Sequence, residues 1–244
     1  MSKLKYKRVL LKISGEVLAG ADTPSGDNNR QGIDGKVLMD LAKEVVKVQK
    51  MGAEIGVVIG GGNFWRYRDF THLKFERTTS DTMGMMATVM NALAFEEALK
   101  KLGAEVRAVT SFPCEKAMEN HYIKRSLNHL DEGKIVIFAG GTGSPFFTTD
   151  SAAALRALEM NCDLLLKATK VDYVYDKDPV KFKDAKKYTS LSYQEVIEKN
   201  LAVMDLTCAA LCKESKLPMI VFNLNKKGAL EKVLKGDKIG TIIN

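Results

Sequence analysis

Ala139-Gly140-Gly141-Thr142-Gly143-Ser144-Pro145-Phe146-Phe147-Thr148-Thr149-Asp150 carries the chain from an apolar, strand-like run, Ile135 to Ala139, into an alanine-rich helical pattern. Its glycines let backbone N–H groups approach an oxyanion, the helix behind adds its positive end, and the hydroxyls and carboxylate supply further partners. Strand, glycine turn and helix in that order form the repeating unit of an α/β protein. Two more turns follow strand-like runs: Leu10-Leu11-Lys12-Ile13-Ser14-Gly15-Glu16, and Val57-Val58-Ile59-Gly60-Gly61-Gly62-Asn63. Three such turns predict two adjacent phosphate sites.

Working outward, strand-like runs recur at Val9 to Ile13, Ile55 to Ile59, Val106 to Thr110, Ile135 to Ala139 and Leu164 to Ala168. They are continuously apolar, as strands covered on both faces read, so the expected fold is α/β: a doubly wound, mainly parallel sheet with helices on both faces. Between the strands, Val37, Leu38, Leu41, Val45 and Val48 mark a helix face after Asp34. Met83, Met86, Val89, Met90 and Leu93 mark a second, expected to be core, behind an N-cap at Asp81. Val171 to Tyr188 breaks the rhythm and reads as irregular backbone over a second lobe. Ser192-Tyr193-Gln194-Glu195 fits a capping box, and Asp205 fits the N-cap of a helix from Leu206 to Ser215. A strand from Met219 to Phe222, a helix from Ala229 to Leu234 and a strand from Thr241 to Ile243 complete the pattern. The stretch Ala21 to Gly32 is a polar loop.

The chain has 244 residues, 45% of them hydrophobic, enough to bury a full core as one large domain or two closely apposed lobes. Its formal net charge of +7 favours anionic ligands, but the lysines are scattered over helices without interleaved aromatics, which argues against nucleic acid as the main partner. No run of eighteen apolar residues occurs, so no membrane association is expected, and the N-terminus leads into a strand rather than a signal-peptide core. A cytoplasmic protein is the expectation. Cys114, Cys162, Cys208 and Cys212 lack C-x-x-C spacing, and buried thiols are expected of the last two.

The chemistry rests on a few anomalies. No G-x-x-x-x-G-K-[ST] occurs, and Trp65 stands where a dinucleotide fingerprint needs its third glycine. Gly60 to Gly62 therefore read as a different phosphate-binding turn, with Arg66 placed to hold a phosphate bidentately. Lys12 and Lys167 each sit inside an apolar strand, where an unpaired ammonium is costly. A salt bridge from Lys12 to Asp150 or Asp205 and a ligand anion are both open as partners. Two lysines at the carboxyl ends of parallel strands suit a transferring phosphoryl group, whose charge rests on its equatorial oxygens. Asp150, read as an N-cap, is a candidate for orienting the lysines and approaching magnesium.

Lys12-Ile13-Ser14-Gly15-Glu16, Val57-Val58-Ile59-Gly60-Gly61-Gly62-Asn63, Asp81-x-Met83-Gly84-Met85, Ala87-Thr88-Val89-Met90-Asn91, Phe146-Phe147-Thr148-Thr149-Asp150, Lys167-Ala168-Thr169-Lys170-Val171-Asp172 and Val203-Met204-Asp205-Leu206 resemble the bacterial uridylate kinases of the amino-acid-kinase superfamily. The resemblance runs in order from about Tyr6 to Ile243. It implies a three-layer sandwich in a single domain, with a UMP-binding lobe over residues 1–160 and an ATP-binding lobe over 161–244. It implies ATP contacts from Lys12, Ile13, Ser14, Gly15, Gly62, Arg66, Thr169, Tyr175 and Asp178. For UMP it implies Gly61, Arg66, Asp81, Thr142, Gly143, Ser144, Pro145, Phe146, Phe147, Thr148 and Thr149, with Arg66 on the phosphate and Asp81 on the ribose. Lys12 and Lys167 would stabilise the transferred group while Asp150 and Asp205 orient cations. The implied reaction is direct in-line transfer from magnesium-bound ATP to UMP, giving UDP, in a cytoplasmic homohexamer of pyrimidine biosynthesis that responds to UTP and GTP.

The chain departs from that pattern where Ser144 replaces an asparagine, where Trp65-Arg66-Tyr67-Arg68 replaces an Arg-Gly, and where Glu96-Glu97 replaces an arginine-aspartate pair linked to the GTP site. Two alternatives stay open on sequence: a superfamily sibling that phosphorylates a carboxylate or carbamate, and a non-catalytic nucleotide sensor.

Overall fold

The computed structural model describes residues 4–19 and 32–244. Apart from Gly32, the expected loop from Ala21 to Gly32 lies outside the described residues. Among the described residues, strands β1 (Arg8–Ile13), β2 (Glu54–Ile59), β3 (Val106–Thr110), β4 (Glu119–Asn120), β5 (Ile135–Ala139), β6 (Leu164–Thr169), β7 (Val174–Tyr175), β8 (Lys187–Tyr188), β9 (Ser190–Leu191), β10 (Met219–Asn223) and β11 (Thr241–Ile243) are interspersed with eight α-helices. These are α1 (Gly15–Leu18), α2 (Gly35–Lys50), α3 (Arg77–Lys101), α4 (Ile123–Asp131), α5 (Thr149–Glu159), α6 (Tyr193–Glu198), α7 (Leu206–Glu214) and α8 (Ala229–Lys235).

Nine strands form one sheet in the order β4-β3-β5-β2-β1-β6-β10-β11-β9, parallel throughout except between β10 and β11. The remaining pair, β7 and β8, forms a small antiparallel hairpin within the expected irregular stretch. Because β1 is central, the chain leaves it for β2 on one side and later returns to β6 on the other. That reversal of direction opens a crevice at the carboxyl ends of the strands, where ligands of open α/β sheets bind.

Both faces of the sheet are covered. Val9, Leu11 and Ile13 of β1 join one core cluster with α2, α3 and α8, while Leu10 joins the other, with α5, α6 and α7. This two-sided burial is why the strands read as unbroken apolar runs. The capping box at Ser192 and Glu195 and the Asp205 N-cap form as expected.

Helix α3 departs from its expected reading in two ways. It begins at Arg77, so Asp81 lies inside the helix rather than capping it. Its buried face also carries small and polar residues, including Ser80, Ala87, Thr88, Asn91 and Ala92, while Met83, Met86 and Met90 are exposed. Small side chains there let the helix approach the glycine turns, and that close contact, rather than hydrophobicity, selects which face points inward. Asp150 is likewise not a cap: Thr148 caps α5, its Oγ1 accepting the Asp150 and Ser151 N–H groups.

Candidate active site

The centre of the crevice follows from strand register. Leu10 pairs with Leu165 and Lys12 with Lys167 across β1 and β6. Side chains two apart share a face, and both leucines lie in the cluster beneath α5, so both lysines point to the α5 side. Asp150 receives them there at the start of α5. Lys167 Nζ hydrogen-bonds Asp150 Oδ2. Lys12 Nζ lies 2.8 Å from Oδ1 as an ion pair without hydrogen-bond geometry, which leaves that buried oxygen able to accept further.

Burial pushes the Asp150 carboxyl up, but the two ammonium groups outweigh it and hold its pKa below the ordinary carboxylate value. For Lys167, burial and the neighbouring Lys12 charge drive the pKa below the ordinary lysine value against the pull of Asp150. Two cations and one carboxylate leave a local excess of one positive charge.

Around this trio the three turns are locked together. The Gly60 N–H donates to Ile13 O at 2.9 Å, and Asn91 Nδ2 donates to Gly60 O at 2.8 Å. Asn63 and Asn91, 2% and 0% exposed, bond amide to amide beneath the glycines. A Cβ on Gly15 would sit 2.5 Å from Gly60 O and 2.7 Å from Gly62 N, so the first two turns touch backbone to backbone. Thr88 Oγ1 ties in the third turn by accepting the Gly140 N–H at 2.7 Å.

Two cavities lie beside the trio, and of the two only the second is lined by Lys12 and Lys167. The first, about 450 Å³, is walled by Gly60 to Gly62, Arg66, Arg77, Asp81, Gly141, Thr142, Ser144, Phe147, Thr148 and Thr149, among others. The second, about 700 Å³, is walled by Lys12, Lys167, Thr169, Tyr173, Tyr175, Asp178 and Val203, among others. Ser14 and Glu16 line both. Each has the size of a nucleotide-scale ligand site.

Most expected site residues fall into this arrangement, with some reassigned. Gly15 and Gly62, expected on ATP, line the first cavity, as does Arg66, expected on both nucleotides, and Ile13 lines neither, being fully buried with its carbonyl holding Gly60. Gly143, Pro145 and Phe146 are outside the lining of the first cavity. Phe146 instead donates its N–H to Asp81 Oδ2 at 2.8 Å from a left-handed backbone, φ 73°. Asp205 contacts no lysine among the described residues. Its carboxylate accepts the Thr148 and Ser151 hydroxyls and the Cys208 N–H, fastening α7 to the start of α5. In this arrangement it supports the Thr148 turn.

Sequence reasoning missed Glu16, whose Oε1 lies 2.7 Å from Arg66 Nη2, and Arg77, which lines the first cavity. It also missed the Asn63–Asn91 pair. Asn91 lies off the stripe that Met83, Met86, Val89, Met90 and Leu93 mark, so that periodicity gave no signal for the pair. Cys208 and Cys212 are buried as expected, and burial pushes the Cys162 thiol up to about 12.

The profile of the amino acid kinase family matches residues 7–223. A uridylate kinase of Xanthomonas oryzae pv. oryzae is 50% identical over 243 residues, covering 100% of this chain and 98% of its own. The crystal structure of a UMP kinase from Bacillus anthracis superposes with a TM-score of 0.92 at 38% identity, covering 98% of this chain and 96% of the other. For a UMP kinase from Ureaplasma parvum the TM-score is 0.89 at 35% identity, covering 99% and 100%. Two nucleotide-sized cavities meeting at Ser14 and Glu16, close to a lysine pair on a sheet of this order, agree with those likenesses: the chain belongs to the amino acid kinase family, among its uridylate kinases.

Proposed function

We infer that the protein phosphorylates UMP with ATP, giving UDP and ADP. The observation that carries this reading is the meeting of two cavities at Ser14 and Glu16, with the Lys12 and Lys167 ammonium groups beside the junction. ATP lies in the second cavity, its adenine and ribose against Thr169, Tyr175 and Asp178, and UMP in the first. This divides the single domain into an acceptor lobe over residues 1–160 and an ATP lobe over 161–244.

A UMP phosphate oxygen attacks the γ-phosphorus as the bond to the β-bridging oxygen breaks and ADP leaves with that electron pair. Negative charge on the transferring group is met by Lys12 and Lys167, already in place and shielded from water, so little reorganisation is needed. No covalent intermediate on the protein is required. Arg66 holds the acceptor phosphate, exchanging its pairing with Glu16 for the ligand. The hydroxyls of Thr142 and Thr149 offer partners on the uracil side, while that of Thr148 is occupied by the start of α5 and Asp205. Among the described residues no three His, Cys, Asp or Glu side chains converge as metal ligands. Magnesium would come with the substrate as MgATP, with Asp150 the carboxylate placed nearest the transferring group.

Activity in pyrimidine biosynthesis in the cytoplasm, as a homohexamer answering to UTP and GTP, belongs to the same reading. No helix among the described residues is long and apolar enough to cross a membrane. Self-association is supported by the apolar surface that Phe64, Trp65, Met83, Met86 and Met90 form beside α3.

The test is an ADP-release assay of UMP, CMP, glutamate, aspartate and carbamate with MgATP, repeated with GTP and UTP, alongside the particle mass by light scattering. Turnover of UMP above all others supports the reading. Turnover of an amino acid or carbamate but not UMP favours the acyl-phosphate alternative, and binding without turnover favours a sensor.

A further inference from the structure

We propose that Arg77 is a positioning residue that aims Asp81 at the ribose of the acceptor nucleotide. The inference rests on the reading of the first cavity as the UMP site. Arg77 and Asp81 lie one turn apart on α3, and Arg77 Nε donates to Asp81 Oδ2 at 2.8 Å. The Phe146 N–H donates to the same oxygen, also at 2.8 Å. Two donors on Oδ2 fix the carboxylate, while Oδ1 accepts no hydrogen bond among the described residues. Oδ1 is thus the oxygen available to a ligand hydroxyl.

The guanidinium does more than neutralise a charge. It lies 4.5 Å from the centre of the Tyr67 ring and 5.7 Å from that of Phe146. One side chain therefore joins three separate pieces around the cavity: the short helical turn Tyr67–Asp69, the start of α3 and the 140–149 turn. Phe146 holds a left-handed backbone that a residue with a Cβ adopts only when its surroundings impose it. In that conformation its N–H reaches Asp81 and its ring faces Arg77. Arg77 is 44% exposed and its pair lies on a helix surface, where such pairs add little stability. Its consequence should appear in ligand selection rather than in folding.

A flat guanidinium that bonds through Nε while facing two rings has no equivalent in an ammonium, so Arg77→Lys is expected to behave as Arg77→Ala does. The experiment measures kcat/KM for UMP, 2′-deoxy-UMP and 3′-deoxy-UMP with saturating MgATP, and KM for ATP, in the unmodified protein, both Arg77 variants and Asp81→Ala. Expected in both Arg77 variants is a UMP KM raised about tenfold. The preference for UMP over at least one deoxy analogue is expected to shrink about fivefold or more, in the direction of Asp81→Ala, with ATP KM held within about twofold. Preferences equal to those of the unmodified protein overturn the proposal. So does an ATP KM that rises in step with that for UMP, rescue by lysine, or an Asp81→Ala variant that keeps both preferences. Failure of the unmodified protein to turn over UMP would instead bring down the function on which the proposal rests.

Discussion

Lys12 and Lys167 stand opposite each other in the register of β1 and β6, and one carboxylate, Asp150, lies between their ammonium groups. Removing Lys12 leaves Asp150 and Lys167 as a neutral pair and takes away the excess positive charge. Lys12→Ala is therefore expected to lower kcat by about a hundredfold with little change in UMP KM, as for a group acting on transition-state charge. Steady-state kinetics decide; unchanged turnover removes Lys12 from the mechanism.

Asp150→Asn leaves two mostly buried ammonium groups uncompensated. Breaking a buried ion pair by removing one partner costs about 3 kcal/mol or more. The variant is expected to lose stability on that scale in urea unfolding and to lose activity with it. A midpoint within experimental error of the unmodified protein contradicts the trio.

The same trio sets a pH dependence. The Lys167 pKa lies below its ordinary 10.5, so an alkaline fall in kcat/KM for ATP is expected below pH 10.5, reporting the coupled unit in the free enzyme. Lys167→Arg should carry that limb to higher pH, because a guanidinium stays charged. For stability the signs are opposite for the two groups. Asp150, depressed below 3.8, contributes stability above that pH and loses it as pH falls through its folded value. Lys167 is disfavoured in its charged form in the fold, so its contribution improves as pH rises through the window up to 10.5. A pH–rate profile flat to pH 10.5 would contradict the shift.

Asp205→Ala removes an N-cap and two hydroxyl partners. A cap is worth about 1 kcal/mol and hydrogen bonds to a charged group about 1.5–3, so a loss of about 2–4 kcal/mol in unfolding free energy is expected. The Thr148 turn would loosen and UMP KM would rise more than ATP KM. A kcat loss matching that of Lys12→Ala, at full stability, would restore Asp205 to the chemistry.

Gly15→Ala places a methyl group 2.5 Å from Gly60 O and 2.7 Å from Gly62 N. Backbone cannot yield as a side-chain tip does, so this variant is expected to lose most activity and about 1–3 kcal/mol of stability. Gly35, at the start of α2, has no atom within 4 Å of the same added group. Gly35→Ala is expected to be neutral or to stabilise by about 0.5–1 kcal/mol. Thermal unfolding and turnover of the two variants side by side check the contrast.

Several features were readable without coordinates because they are local. Unbroken apolar runs such as Ile135 to Ala139 announce strands buried on both faces. A glycine turn before a helix announces an anion site, and a lysine inside a strand announces a partner for its charge. Ser192 with Glu195, and Asp205, declared their helix starts through hydrogen bonds only a few residues long. The arrangement of charges was not local. That Lys12 faces Lys167 depends on the register of two strands more than 150 residues apart. That Asp150 serves both, while Asp205 serves Thr148 and Ser151, depends on where α5 and α7 meet. Helix α3 shows the same limit: its methionines fit an apolar stripe, yet the glycine turns needed small neighbours, and the helix turned its small and polar face inward. Sequence determined which groups must be satisfied; packing alone decided by whom, because a buried charge or amide accepts whichever partner the folded backbone brings within about 3 Å.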